Sequence, residues 1–269
     1  MSTAFIIQDQ MADFTAAFAT AGVTPTHIQD YDLIPQQQPN NGAQILQAFY
    51  DFSDGSGNTV TDVYSGQNAT ANNVTWDSTK KAIVLAGTTG SHVLVPIPKS
   101  LNYEVILLFK STEPSSFNNQ EVILGSYNFN SVANGESLIV YPPGLSNNGQ
   151  LGIFSSQGGV ATNQASGATI NNVWRIVSTS LSTVSGTTTA FLMIDDGTTV
   201  TSSGQAAAVP YPGNFCIGEN IGNGFGPFAG EVAAAVFYNT QLTTAQRALV
   251  FSYIQNTLAP SKNITIGAA

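Results

Sequence analysis

The chain has 269 residues, of which 42 % are hydrophobic, 10 % aromatic and only 9 % charged, with a formal net charge of −9. This apolar content excludes a disordered chain, and seven scattered Lys and Arg residues are too few to neutralise a nucleic-acid backbone. No run approaches the roughly 18 apolar residues of a membrane-crossing helix, and the single cysteine, Cys216, excludes an intramolecular disulfide and a cysteine metal cluster and reads as a small buried hydrophobe.

Residues 1 to 22 suit a short helix. Phe5, Met11, Phe14, Ala17 and Phe18 share roughly one face, and Gly22 suits the residue after its end. The start has no basic region and too short an apolar run for a secretory leader, so the sequons at Asn68, Asn73 and Asn263 carry little weight. Thr24-Pro-Thr-His and Pro35-Gln-Gln-Gln-Pro-Asn-Asn-Gly then read as extended, Pro-punctuated connection. His27 stands there alone, and a metal ligand needs companions. Residues 1–45 are too short to bury Phe5, Ile6, Ile7, Phe14 and Phe18 by themselves. The segment lies either on its own domain or on another subunit; apolar patches of this kind mark interfaces, so these five residues are the expected assembly contact.

From Ala48 the texture changes to short apolar runs separated by turn residues. The runs predict strands at 46–52, 74–76, 82–86, 91–95, 103–111, 121–127, 137–141, 150–155, 173–181, 188–195, 214–218 and 230–238. Asp54-Gly-Ser-Gly-Asn, Asn134-Gly, Asn147-Asn-Gly, Asp195-Asp-Gly and Gly222-Asn-Gly lie between them, supplying residues that tolerate the positive φ of hairpin turns. Strands at this spacing, with no alternating helices, predict an all-β sandwich or barrel. The chain closes on a strand buried on both faces, Glu231 to Tyr238, and an amphipathic helix. Thr243 or Thr244 is its N-cap, Leu249, Val250, Tyr253, Ile254 and Leu258 its apolar stripe, and Pro260 its stop.

Four stretches stand in register. The first is Ala48-Phe-Tyr-Asp-Phe-Ser-Asp-Gly-Ser-Gly-Asn, followed by Val74-Thr-Trp76. The second is His92-Val-Leu-Val-Pro with Tyr103-Glu-Val-Ile-Leu-Leu-Phe-Lys-Ser. The third is Trp174-Arg-Ile-Val-Ser with Ala190-Phe-Leu-Met-Ile-Asp-Asp-Gly. The fourth is Phe215-Cys-Ile-Gly, then Phe228-Ala-Gly-Glu-Val-Ala and Leu242-Thr-Thr-Ala-Gln-Arg. Together they resemble the laminin-G-like, concanavalin A-like jelly-roll domain over residues 46–258, departing at Gln246, where that family commonly has Glu. The resemblance implies an all-β fold: a two-sheet antiparallel jelly-roll sandwich with a short N-terminal segment, 1–45, one C-terminal helix, and a tail, 259–269. Trp76 and Trp174 are then core aromatics rather than sugar platforms.

Asp51, Asp54 and Asp62 share one turn-rich stretch. Calcium takes several hard oxygen ligands, and some relatives in that family hold calcium at the rim of the sandwich, so Ca2+ is the one cofactor weighed; the bland alternative is that these aspartates form turns through their own side chains. Gly218-Glu-Asn-Ile-Gly-Asn-Gly-Phe-Gly226 lacks the Lys-Ser/Thr of a phosphate loop and reads as a rim loop. Asn220, Asn223 and Phe225 there are the expected sugar contacts. Glycoside hydrolysis needs two opposed carboxylates, and Glu104, Glu113, Glu121, Glu136, Glu219 and Glu231 each stand alone in sequence. His92 lies in an apolar strand and reads as a structural histidine, so catalysis is not expected.

The leading expectation is a non-catalytic structural and adhesion protein. It would sit on the exterior of a larger assembly such as a bacteriophage virion, as a capsid decoration or tail-fibre component. It would be a homo-oligomer attached to other subunits through residues 1–45. The alternatives are an extracellular glycan-binding module meeting cell-surface glycans and, further off, a glycoside hydrolase.

Overall fold

Alternation of buried and exposed positions along His92–Pro98, with Val93, Val95 and Ile97 buried, is the signature of a strand with one face on a core. Tyr103–Ser111 and Ala229–Tyr238 are instead predominantly apolar and buried on both faces, with the buried Glu104 and Glu231 among the exceptions. The computed structural model describes residues 34–35, 44–54, 57–79, 81–112, 120–125, 135–141, 149–157, 160–170, 172–202, 204–206, 213–219 and 225–267.

Its strands are, in order, β1 (Leu46–Asp51), β2 (Thr59–Val60), β3 (Ala69–Asn72), β4 (Val74–Asp77), β5 (Ala82–Ala86), β6 (His92–Pro98), β7 (Tyr103–Ser111), β8 (Glu121–Gly125) and β9 (Gly135–Val140). They continue as β10 (Gln150–Gln157), β11 (Val160–Thr169), β12 (Trp174–Val184), β13 (Thr187–Ile194), β14 (Thr199–Thr201), β15 (Gln205–Ala206), β16 (Asn214–Ile217), β17 (Gly226–Pro227) and β18 (Ala229–Tyr238). Two sheets result. The first runs β14-β13-β12-β7-β18-β5-β4, with β1 also on β18 and β15 on β13. The second runs β11-β10-β9-β8-β16-β6-β3-β2, with β17 added to β8 in the parallel sense. All other strand pairs are antiparallel, so the fold is the expected two-sheet sandwich.

Val105, Leu107 and Phe109 of β7 meet Val93, Val95 and Ile97 of β6 in the core between the sheets. The intervening Ile106 and Leu108 face the other way, into a second apolar cluster with Val236 and Tyr238 of β18. That cluster is roofed by helix α1 (Thr244–Tyr253), through Val250, Tyr253 and Ile254. Two covered faces explain why β7 and β18 are predominantly apolar on both faces. Trp174 is buried in this outer cluster, with Lys110 over its ring at 5.6 Å, and Trp76 packs part-buried against the inner core. Neither offers an open ring face of the kind a sugar platform needs.

The helix differs from its expected form in two ways. Thr243 is the N-cap: its hydroxyl accepts from the Gln246 backbone N–H at 3.2 Å, while the Gln246 side-chain oxygen accepts from the Thr243 N–H at 3.0 Å. Gln246 thus does here what a glutamate would do. Leu249, however, is 43 % exposed. The buried Arg247 sets the inward face, so Val250, Phe251 and Ile254, three, four and seven residues on, point to the sheet and Leu249 points away. Pro260 does not stop the helix. A π-helical turn over Ile254–Leu258 precedes it, with the Ala259 N–H bonded to the Ile254 carbonyl, and Pro260 enters the last helical turn, Ala259–Ser261, where no N–H is required of it.

The ends also depart from expectation. Of the residues expected to form a tail, those described up to 267 pack on the domain: Lys262 and Ile264 are buried and Ile266 packs on the outer cluster. At the other end Ile34 is buried in that same cluster, so this part of the N-terminal segment lies on its own domain. Phe5, Ile6, Ile7, Phe14 and Phe18, the expected assembly contact, lie outside the described residues.

Candidate functional site

At one end of the sandwich the segment after β2 is gathered around a single carboxylate. Asp62 is 3 % exposed. Its Oδ1 accepts from the backbone N–H of Phe49 at 2.9 Å and of Tyr64 at 3.0 Å. Its Oδ2 accepts from the N–H of Ser65 at 3.1 Å and of Gln67 at 3.2 Å, and from the Ser65 hydroxyl. The Tyr50 hydroxyl donates to the Gln67 carbonyl at 2.8 Å, closing the loop from the other side. Burial, and secondarily the Asp62 charge, push the Tyr50 phenol above its ordinary range, so it stays a donor. One side chain thereby fixes residues 62–67 against β1.

Beside this loop, where β1, the end of β6 and the end of β18 converge, lies an open cleft of about 400 Å³. Its floor is apolar: Leu46, Ile97 and Pro98. Its walls are four amides, Gln44, Gln47, Gln67 and Asn239, with the hydroxyls of Tyr64 and Ser65. Gln44 donates to the Leu46 carbonyl at 3.2 Å and to the Tyr64 hydroxyl, and Asn239 donates to the Gln44 carbonyl at 3.1 Å, so one wall is braced. The side-chain amides of Gln47 and Gln67 bond to no other described residue. An amide pairs two donors with an acceptor, which suits adjacent hydroxyls on a ring. The cleft is thus lined by uncharged residues, with a half-buried tyrosine at one side.

The proposed calcium aspartates are not assembled for a metal. Asp62 spends both oxygens on N–H and O–H donors, which point hydrogens where a cation would sit. Asp51 accepts from the Ser53 hydroxyl at 2.6 Å and pairs with the Lys262 ammonium at 2.5 Å. Asp54 closes the 3-10 turn Phe52–Asp54. Among the described residues no group of three or more His, Cys, Asp or Glu could hold a metal ion. The turn-forming alternative is the one that fits Asp62.

The expected rim contacts are elsewhere. Asn220 and Asn223 lie outside the described residues. Phe225 packs edge-on against Phe154, with ring centres 5.1 Å apart, beside the small cluster of Val122, Ile139 and Tyr141. His92 is held from both sides: Nδ1 is 2.8 Å from Glu219 Oε2 and Nε2 is 3.2 Å from the Asn72 amide. Glu104, Glu231 and Glu121 each have a fixed partner: Glu104 with Arg247, Glu231 with Lys110, and Glu121 with the Ala229 N–H at 3.2 Å. Burial pushes the Glu121 carboxyl up to about 7 despite that N–H, and its Oε1 is unpartnered. Burial, and secondarily Glu219, push the Cys216 thiol up to about 12, which leaves it unreactive.

Removing the Asp62 carboxylate should release the loop. Asp62→Ala is expected to lower stability by about 2–4 kcal/mol, since several buried N–H groups lose a charged acceptor. Urea denaturation measures this. A variant with an unchanged midpoint would show that the loop holds itself.

No protein-family model matches this chain, and no curated protein matches its sequence. Solved structures do match its fold. Trypanosoma rangeli sialidase, in complex with sialic acid, superposes with a TM-score of 0.61 at 15 % identity, over 94 % of this chain and 40 % of its own. This chain thus spans well under half of that enzyme. The binding domain of Paraclostridial mosquitocidal protein 1 gives 0.58 at 12 % identity, over 79 % of this chain and 53 % of its own. Domain 4 of a GH43 extracellular arabinanase from Geobacillus stearothermophilus, in complex with arabinotriose, gives 0.52 at 19 % identity, over 75 % of this chain and 95 % of its own. At these identities the likeness is one of fold.

Proposed function

We propose that this chain is a non-catalytic glycan-binding module. The observation that carries the reading is the cleft at the end of the sandwich, walled by Gln44, Gln47, Gln67 and Asn239 over an apolar floor. Support comes also from the company the fold keeps: a domain solved with arabinotriose and a toxin's binding domain share it. Catalysis has no matching constellation in the cleft, where no lining residue is a carboxylic acid or a histidine. Adhesion, as expected from composition, follows directly if the glycan sits on a cell or a polymer. The virion expectation, drawn from composition, and the assembly contact expected at residues 1–45 gain no support from the described residues or from the comparisons.

An open, amide-lined cleft binds weakly. Affinity near millimolar, about −4 kcal/mol, is expected, raised by avidity if several copies act together. Titration of the isotope-labelled chain with arabinotriose and other neutral trisaccharides should move the amide signals of Gln47, Gln67 and Asn239. Gln67→Ala and Asn239→Ala should each weaken binding by about twofold to tenfold, the worth of one neutral hydrogen bond, without changing the melting temperature. Signals that move only around Phe225, or binding indifferent to both substitutions, would place the ligand away from this cleft.

A further inference from the structure

The cleft's charge pattern says which glycans it can take. We propose, building on the glycan-binding reading, that it accepts uncharged saccharides and rejects those bearing a carboxylate or sulfate.

Recognition of an anionic sugar calls for a cation, most effectively an arginine whose fork matches the two oxygens. None of the nine residues lining the cleft is charged. The chain has only seven Lys and Arg residues, and four of them are paired with carboxylates. Arg247 is buried on Glu104, Lys262 on Asp51, Arg175 reaches Asp195 at 3.2 Å, and Lys110 pairs with Glu231. None of the remaining lysines lines the cleft.

The carboxylate behind the cleft wall has the wrong sign for an anionic sugar. Asp62 sits behind Ser65 and Gln67, held to both by hydrogen bonds. An acidic sugar on these walls would lose water from its carboxylate and gain only amide and hydroxyl donors. It would do so beside a buried carboxylate and on a chain of net charge −9. A neutral ring meets none of these penalties. Its hydroxyls pair with the amides, and its apolar C–H face can lie on the exposed Pro98.

The test uses matched ligands and the full chain. Arabinotriose, galactotriose and lactose are titrated beside trigalacturonate and sialyllactose at low ionic strength. At least one neutral sugar should bind at the cleft, and each acidic counterpart about tenfold or more weakly. Gln67→Arg, on the exposed wall, should then tighten trigalacturonate or sialyllactose by about tenfold while weakening the neutral sugar about twofold to tenfold, as loss of the Gln67 amide does in Gln67→Ala. If an acidic sugar shifts the cleft amides as strongly as its neutral counterpart, the selectivity is wrong and glycan binding stands. If Gln67→Arg leaves the preference unmoved, charge is not what sets it. If no sugar of either class binds, the glycan reading itself fails.

Discussion

Replacing Glu104 by Gln should cost about 3–5 kcal/mol of stability, the range seen when one partner of a buried ion pair is removed. Glu104 has no exposed surface, and Arg247 is only 5 % exposed. The pair is bidentate, with Arg247 Nε to Oε1 at 2.6 Å and Nη2 to Oε2 at 2.9 Å. The remaining capacity of the carboxylate is filled by the Ser178 hydroxyl and the Leu242 N–H, both at 2.7 Å. Arg247 in turn donates to the Leu242 carbonyl at 3.1 Å and lies over the Phe191 ring at 4.7 Å. The network therefore ties β7, β12 and β13 to the start of α1. A neutral amide at position 104 leaves the guanidinium without a counter-charge and presents hydrogens to donors. Arg247→Met should cost a similar amount, because it strands the carboxylate. The double variant, Glu104→Leu with Arg247→Met, should recover much of the loss, since an apolar pair of similar volume carries no desolvation penalty. Urea denaturation of the wild type, Glu104→Leu, Arg247→Met and this double variant closes the cycle and yields the coupling. Single variants that each lose under about 1 kcal/mol would mean that the helix is held by its apolar face alone.

How much of this was legible in the sequence varies with range. The strands with a strong period were readable: the alternation of β6 and the predominantly apolar runs of β7 and β18 name their own environments. β11 was not. Its residues, Val160-Ala-Thr-Asn-Gln-Ala-Ser-Gly-Ala-Thr, are small and polar, and it forms the edge of the second sheet, where one neighbour suffices. The hairpin joining β12 and β13 turns on Ser185 and Gly186, at φ values of 50° and 77°. This is a two-residue turn in which Ser fills a place more typical of Asn.

The candidate site was less legible still. Gln44, Gln47, Gln67 and Asn239 carry no motif, and Asn239 is far from the others in sequence. They meet because Leu46 on β1 pairs with Tyr238 on β18, a register set by buried faces at a distance. Asp62 shows the opposite limit. A turn-rich aspartate fits a calcium ligand and a loop organiser equally well in sequence. Only the directions of the surrounding N–H groups separate them. The N-cap was readable only as Thr243 or Thr244, and the structure selects Thr243, whereas the inward face of α1 depended on Glu104, 143 residues from Arg247.

Truncating the chain before Lys262 should be at least as damaging as any single core substitution. Lys262 is fully buried, and its ammonium spends its hydrogens inside the protein. It pairs with Asp51 Oδ1 at 2.5 Å and donates to the Ser53 hydroxyl at 2.6 Å and the Lys81 carbonyl at 2.9 Å. The end of the chain is thereby stitched to β1 and to the residue before β5. Lys262→Ala removes the charge and leaves a void beneath Asp51, with an expected loss of about 3–5 kcal/mol. Lys262→Met fills the space, and the part-exposed Asp51 can take up water, so a smaller loss of about 1–3 kcal/mol is expected. Truncation also strips Ile264 and Ile266 from the outer cluster and should exceed both. The order truncation, Ala, Met in urea midpoint distinguishes a structural ammonium from simple packing. If Met were as damaging as Ala, charge would outweigh volume at this site. If the truncated chain kept the full midpoint, residues 262–269 would be the dispensable tail that their position in the sequence suggests.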